Sequence, residues 1–147
     1  KSPYILAYFL YEDSKLMECA LAISAEMKLP LVEIHYYKQI KLGKHKQVAD
    51  CGPGEFLTYI RNAEFILTNS YHGLIFSTIY KKNFYCVYDK DSRKDNLLLS
   101  LGLKDRHIKT KVEINLKNRI DYDKVNENLQ KEVLHSTKYL ETAVDIV

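Results

Sequence analysis

Residues 64–73 read EFILTNSYHG, and the order of apolar and polar residues in this segment indicates the fold class. Residues 64–68 form an apolar run of strand length, Asn69 and Ser70 make a short polar turn, and the amphipathic segment 74–80 follows. A buried strand that runs through a tight turn into a helix is typical of one unit of an α/β domain. The sequence therefore predicts a helix start at the carboxyl end of a strand.

Segments of strand length and helical segments alternate on both sides of this turn. Further apolar runs of strand length occupy residues 4–10, 31–36 and 84–88. Between the first two, apolar side chains recur at spacings of four, three and four, which predicts a helix that Asp13 or Ser14 caps and that ends before Pro30. This alternation predicts an α/β domain of three layers with a mostly parallel sheet.

The segments between these elements are shorter or more polar. Residues 37–49 carry four lysines and have no apolar period, so we expect a solvated loop there, with a mobile flap that meets an acidic acceptor as the functional alternative. A short helix is expected over 55–62. After the strand over 84–88, a polar loop over 89–94 leads to a helix over 95–101, with Gly102 as its left-handed cap.

The last unit is a long helix that begins at Asp121 or Asp123. One of its faces carries Val125, Leu129, Val133, Ser136 and Leu140. An apolar face over about four turns is typical of a helix that is buried along its length. We therefore expect this helix to pack across the domain.

Composition narrows the class of protein. The 147 residues, 46% of them hydrophobic, suffice for one domain, and the net charge of +3 favours anionic ligands without indicating a nucleic-acid binder. No apolar run approaches the roughly 20 residues that cross a bilayer. Three cysteines without a zinc pattern or a disulfide framework predict reduced thiols. We expect a soluble cytoplasmic domain that needs no cofactor.

The predicted turn after residue 68 is the candidate binding site. Ser70 is well placed to cap the following helix, which would leave the amides of Tyr71, His72 and Gly73 facing a crevice at the carboxyl edge of the sheet. A helix start of this kind attracts phosphate or carboxylate groups. His72 lies where its imidazole would meet such an anion.

Other constellations have simpler explanations. Asp89 and Asp91 resemble an aspartate pair that holds a divalent metal, but two carboxylates in a loop more often form a turn, and we expect no metal site. Tyr11, at the end of the first strand, either fills the rim of the core or stacks on a sugar ring. Cys19 and Cys86 fit packing positions.

Several segments resemble the polysaccharide pyruvyl transferase family. They are residues 55–57, Ile60, 62–63, 68–73, 76–77 and 93–106. The resemblance implies an enzyme of two Rossmann-like halves, similar to B-type glycosyltransferases, that moves the enolpyruvyl unit of phosphoenolpyruvate onto a sugar as a ketal. It also implies that residues 1–147 form a single domain, the carboxy-terminal half of a longer transferase whose amino-terminal half is absent.

The resemblance assigns the site residues as well. His72 is the catalytic candidate, and the substrate-binding candidates are Asn69, Ser70, Tyr71, Gly73 and Arg93. Some family members have Arg-Leu-His where this chain has Ser70-Tyr71-His72, so a cation must come from elsewhere, and Arg93 is the candidate. Two alternatives stay open: the donor domain of a glycosyltransferase that uses a nucleotide sugar, and a non-catalytic flavodoxin-like binding module.

Overall fold

The computed structural model describes residues 2–35, 45–87 and 89–144. Within these residues six strands form one parallel sheet, whose spatial order is β3-β2-β1-β4-β5-β6. The strands are β1 (Ile5–Phe9), β2 (Leu31–His35), β3 (Lys46–Val48), β4 (Phe65–Thr68), β5 (Asn83–Val87) and β6 (His107–Ile108). The predicted ends of two strands, at residues 36 and 88, lie outside the described residues.

The described residues also form five α-helices and two short 3-10 helices. The helices are α1 (Ser14–Met27), α2 (Pro53–Asn62), α3 (Tyr71–Ile79), α4 (Ser92–Ser100) and α5 (Tyr122–Val144), and the 3-10 turns are Lys104–Arg106 and Lys111–Glu113. Asp13 caps α1 by accepting hydrogen bonds from the amides of Lys15 and Leu16. Among the described helices, none combines the length and apolar character that a membrane span requires.

The helices cover both faces of the sheet, which makes three layers. On one face, α1 packs against alternate residues of β1, β4 and β5, with Leu16, Ala20 and Ile23 buried. On the other face, α2, α3, α4 and the first turn of α5 enclose the second core, which includes Phe56, Leu74, Leu98 and Val125. The predicted α/β class is confirmed. The spatial order of the strands is that of a Rossmann-type sheet, because β2 and β3 lie on one side of β1 and β4, β5 and β6 lie on the other, so the strand order reverses between β1 and β4.

The prediction of a loop over residues 37–49 is wrong for its last part. Residues 37–44 lie outside the described residues, but Lys46–Val48 forms β3, which pairs with β2 at the edge of the sheet. The segment has no apolar pattern because an edge strand has one neighbour and an exposed side. Instead of apolar packing, its polar side chains contact the buried carboxylate of Glu33. Gln47 donates a hydrogen bond to this carboxylate, and His45 Nε2 forms a hydrogen bond with the same oxygen atom.

Two helix predictions also need correction. Helix α4 begins at Ser92, three residues earlier than expected, because Asp91 caps it by accepting a hydrogen bond from the Arg93 amide at 3.0 Å. Gly102 follows α4 with a φ of +74°, as predicted for a left-handed cap. Helix α5 does not pack across the domain: Val125 is buried, but Leu129, Val133 and Leu140 are exposed.

Candidate functional site

The candidate site lies at the carboxyl edge of the sheet, where β1 and β4 end side by side. Asn69, directly after β4, bridges the two strand ends with a fully buried side chain. Its Oδ1 atom accepts a hydrogen bond from the Leu10 amide at 2.8 Å, and its Nδ2 atom donates to the Tyr11 carbonyl at 3.0 Å. The predicted binding residue Asn69 therefore uses its side chain to join two loops of the protein.

Ser70 caps α3, as its position in the sequence predicts. Its hydroxyl oxygen accepts a hydrogen bond from the Gly73 amide at 3.4 Å, and its own amide donates to Thr68 Oγ1 at 3.0 Å. The Ser70 side chain is fully buried, and the Gly73 amide is already bonded. The amides of Tyr71 and His72, at the first two positions of α3, have no acceptor inside the helix and are the donors that the helix offers to a ligand.

Gly73 brings α3 close to the end of the sheet. A Cβ atom at this position would lie 2.8 Å from the Tyr8 ring and closer still to the hydroxyl of Thr68. Only a residue without a side chain allows this approach, which sets how far the start of α3 stands from β1 and β4. The structure thus gives Gly73 a packing role at the site.

His72 is exposed in the first turn of α3, next to the half-buried Tyr71. The two rings meet edge to face, with centroids 6.2 Å apart. The imidazole is therefore open to a ligand that approaches the amides at the helix start. Sequence position predicted this location correctly, whereas the role of His72 stays a prediction.

Arg93 approaches the same place from α4. Its guanidinium carbon lies 5.4 Å from the centroid of the Tyr71 ring, and its side chain is 71% exposed. Two hydrogen bonds, of 3.0 and 2.8 Å, join the guanidinium to the carboxylate of Asp91. The structure brings Arg93 beside Tyr71, and the Asp91 carboxylate is a competing anion within the protein.

Lys94 is the residue that the sequence analysis missed. Its side chain is 1% exposed, and its ammonium donates to the Asn69 carbonyl at 2.6 Å and to the carboxylate of Asp89. The spacing of residues in α4 could have revealed that Lys94 is buried. Lys94 lies four residues before Leu98 and seven before Leu101, which places it on the same face of the helix as these two buried leucines. A lysine on the buried face of a helix needs a partner, and here the partners are two loops of the site.

The family model for polysaccharide pyruvyl transferases matches residues 1–92 of the 147-residue chain. The chain belongs to this family. The matched part includes the turn from Asn69 to Gly73, the carboxyl ends of β1 and β4, and the Asp91 cap of α4, whereas Arg93 lies one residue beyond it. No curated protein matches the chain as a relative.

In this member of the pyruvyl transferase family, Asp89 is the carboxylate that several groups at the carboxyl edge of the sheet contact. It accepts hydrogen bonds from the Lys94 ammonium, the Tyr11 hydroxyl and, at 3.1 Å, the Asp91 amide. Burial alone would raise the pKa of Asp89, but these three donors outweigh it and lower the pKa below the usual value. Asp89 is therefore a carboxylate at neutral pH, and its charge compensates that of Lys94.

Tyr11 is held by the same carboxylate. Burial and, after it, the hydrogen bond to Asp89 raise the pKa of the Tyr11 phenol, so it stays protonated and donates. The ring is 41% exposed at the end of β1. Its exposed side agrees with the rim position predicted for it, and sugar stacking stays a prediction.

The predicted aspartate pair serves structural contacts. Asp89 binds Lys94 and Tyr11, while Asp91 caps α4 and holds Arg93. Hydrogen bonds from the Arg93 side chain lower the pKa of Asp91 to about 2. No group of three or more metal-ligating side chains is found in the parts of the chain that the structure describes.

The three cysteines occupy packing positions and form no disulfide. Burial raises the pKa of the Cys19 thiol to about 11 and that of the Cys86 thiol to about 12. Burial also raises the pKa of Cys51. Thiols of this kind are poor nucleophiles at neutral pH, which agrees with the packing role expected for Cys19 and Cys86.

A cavity of about 970 Å³ lies away from this edge, between α1, α2 and the start of β2. Its lining includes Tyr4, Leu21 and Tyr59 but none of the predicted site residues. We place the candidate site at the carboxyl edge, because donors for an anion meet there and the cavity walls are mainly apolar. Ligands of open α/β sheets bind at that edge, where the strand order reverses.

Proposed function

We propose that the chain binds phosphoenolpyruvate at the start of α3 and supplies the donor site for transfer of pyruvate, as a ketal, to a cell-surface sugar. The family match supports pyruvyl transfer. The observation that carries the anion site is the meeting of α3 and α4: the open amides of Tyr71 and His72, the exposed imidazole, and the Arg93 guanidinium over the Tyr71 ring. These groups are donors or cations, which suits a ligand with a carboxylate and a phosphate.

The proposed reaction joins two hydroxyl oxygens of one sugar to the central carbon of the enolpyruvyl unit. The methylene carbon gains a proton and becomes a methyl group, and the bond from the central carbon to the phosphate oxygen breaks. One hydroxyl proton balances the new methyl group, and the other leaves with inorganic phosphate. A general acid at the site can serve either proton transfer, and His72 is the exposed side chain suited to it.

Two roles for His72 can be separated by substitution. His72→Ala removes both the proton and the hydrogen bond, and turnover is expected to fall roughly a hundredfold or more if His72 is a general acid. His72→Gln keeps a hydrogen-bond donor but cannot deliver a proton. Restored binding with turnover still lost indicates proton transfer, whereas restored turnover indicates positioning. An alanine variant with unchanged binding and turnover would contradict the site.

Donor binding is tested by calorimetry with phosphoenolpyruvate. Arg93→Ala is expected to weaken binding about tenfold, the usual effect of losing a charge-assisted hydrogen bond at an open site. Arg119→Ala is the matched control, because Arg119 is also an exposed arginine near a carboxylate, that of Glu64. Equal losses for both variants would indicate a general effect of net charge and remove Arg93 from the site.

We also propose that the chain acts as the carboxy-terminal half of a two-domain transferase in the cytoplasm, where cysteines that form no disulfide remain reduced. The acceptor sugar then meets the amino-terminal half, and the chain alone is expected to fold and to bind the donor without turnover. Pyruvyl transfer by these 147 residues alone would overturn the two-domain proposal. Turnover assays on variants accordingly use a protein that includes the proposed amino-terminal half.

A glycosyltransferase donor domain is the second candidate, because a Rossmann-type strand order with an open helix start also suits a diphosphate. Titration with uridine diphosphate beside phosphoenolpyruvate distinguishes the two. Binding of the nucleotide with no response to phosphoenolpyruvate would favour the glycosyltransferase. No response to either compound would favour a non-catalytic flavodoxin-like module.

A further inference from the structure

Lys94 lies beneath the candidate site rather than in it. Its side chain is 1% exposed, so a ligand at the surface cannot reach the ammonium group. The nearest ligand-facing groups are those of the turn above it, whose Asn69 carbonyl accepts a hydrogen bond from the ammonium at 2.6 Å. Lys94 therefore contacts the backbone that shapes the site and not the place where an anion binds.

The ammonium connects three loops that are distant in the sequence. One is the turn between β4 and α3, through Asn69, and the second is the loop between β5 and α4, through Asp89. The third is the loop between β1 and α1, because the Tyr11 hydroxyl donates to the same Asp89 carboxylate. The Asn69 side chain joins the first of these loops directly to the third, through its own hydrogen bonds with the backbone of Leu10 and Tyr11.

A buried ammonium group of this kind makes the loops depend on one another. A charged group that loses water must find compensating partners, and removing one partner leaves the others without theirs. Loss of Lys94 would leave the Asp89 carboxylate without its cation and the Asn69 carbonyl without its donor.

We propose that Lys94 is a positioning residue that holds the loops after β1, β4 and β5 in the arrangement required for anion binding at the start of α3. The identity of the anion rests on the proposed function, but the connection between the loops does not. Lys94 acts through Asn69 and Asp89, and it touches neither the pyruvyl donor nor the acceptor sugar.

The first test compares hydrogen exchange of Lys94→Met with that of Lys82→Met. Methionine keeps the length of the side chain and removes the charge. Lys82 is a matched control, because its ammonium also donates to a backbone carbonyl, that of Ala63, at 2.9 Å, but at the opposite edge of the sheet. Lys94→Met is expected to accelerate exchange selectively in residues 10–13, 69–73 and 89–93, whereas Lys82→Met leaves these three segments protected.

The second test measures phosphoenolpyruvate affinity. Lys94→Met is expected to weaken binding at least about tenfold although Lys94 is out of reach, since several donors lose their alignment together. Lys82→Met is expected to bind as the unchanged chain does. If the unchanged chain fails to bind phosphoenolpyruvate, the proposed function fails, whereas the exchange pattern still decides the positioning role.

Two milder variants carry the same test should Lys94→Met fail to fold. Asp89→Asn keeps Lys94 but removes its counter-charge, and it is expected to accelerate exchange in the same three segments. Tyr11→Phe removes only the outermost hydrogen bond and is expected to affect residues 10–13 alone. Uniform acceleration along the chain, or unchanged exchange in these segments, would overturn the proposal.

Discussion

Gly73 in α3 lies so close to Thr68 at the end of β4 that an added Cβ atom would overlap the threonine hydroxyl oxygen. The same hydroxyl accepts a hydrogen bond from the Ser70 amide and donates one to the Tyr8 carbonyl. It cannot move away from an added Cβ atom without breaking one of these hydrogen bonds. The glycine of the Tyr-His-Gly sequence is thus required by packing, whatever ligand the site binds.

Gly73→Ala is therefore expected to lower the free energy of unfolding by about 1 to 3 kcal/mol, the usual cost of overpacking. Thermal or denaturant unfolding measures it. Gly54→Ala is the control, because a Cβ at Gly54, also in a helix, meets nothing within 4 Å. Alanine there is expected to raise stability by up to about 1 kcal/mol through helix propensity. A Gly73→Ala variant as stable as the unchanged chain would contradict the close approach.

Asp91→Asn is expected to strengthen the binding of phosphoenolpyruvate, by about threefold or more. Asp91 competes with a bound anion for Arg93, since its carboxylate accepts two hydrogen bonds from the guanidinium. Asparagine can still accept the Arg93 amide and cap α4, so the helix start is preserved. Calorimetry measures the change. Weaker binding by a variant that folds normally would indicate that Asp91 orients Arg93 and does not restrain it.

The ion pair between Asp91 and Arg93 also makes stability depend on acid pH. The Arg93 hydrogen bonds lower the pKa of Asp91 from 3.8 to about 2, so its contribution to stability is complete above the unfolded value. It is lost as pH falls from about 3.8 through about 2, because the folded state must then take up a proton.

The difference in melting temperature between the unchanged chain and Asp91→Asn is accordingly expected to shrink over that range of pH. Asp89 titrates in both proteins, so the subtraction removes its effect. Arg93→Gln is expected to reduce the same pH dependence, because it removes the cation that lowers the pKa. A difference that stays constant down to about pH 2 would exclude the ion pair as its source.

Two valines of α5 test how far that helix packs on the domain. Val125 is 3% exposed and lies in the core beside α2, α3 and α4, whereas Val133 is 58% exposed. Val125→Ala is expected to cost about 2 kcal/mol and Val133→Ala less than about 0.5 kcal/mol, because only the first substitution leaves a cavity. Denaturant unfolding of the two variants measures both. Equal costs would mean that the exposed face of α5 is covered in solution.

The sequence predicted most elements because their apolar patterns are local. Residues 65–68 lie in a run that is buried on both faces, and a run of that kind indicates a parallel strand without any knowledge of its neighbours. The pattern failed for β3 and β6. The first has three residues, of which two are polar, and the second has two residues, and strands this short are too short to show a period. The pattern also misjudged α5, since an apolar face indicates what a helix is able to bury and not what lies beside it.

Within the candidate site too, local patterns predicted some residues, whereas others depend on contacts in the folded structure. The chain order alone placed Ser70, Tyr71 and His72 at a helix start, because a strand, a polar turn and a helix are consecutive in the sequence. Arg93 and its neighbour Lys94 were assigned to a loop, since Asp91 and Asp95 are both suitable caps and only the backbone shows which one α4 uses.

Local patterns along the chain were therefore sufficient to predict the alternation of strands and helices, the capped start of α3 and the place of His72 in its first turn. The tertiary structure alone decided that Lys94 joins Asn69, 25 residues away, and that Tyr11 reaches Asp89, 78 residues away. The physical reason is that periodicity and capping depend on neighbours along the chain. Hydrogen bonds between loops depend on the order in which the strands lie side by side, and that order here brings β1, β4 and β5 together.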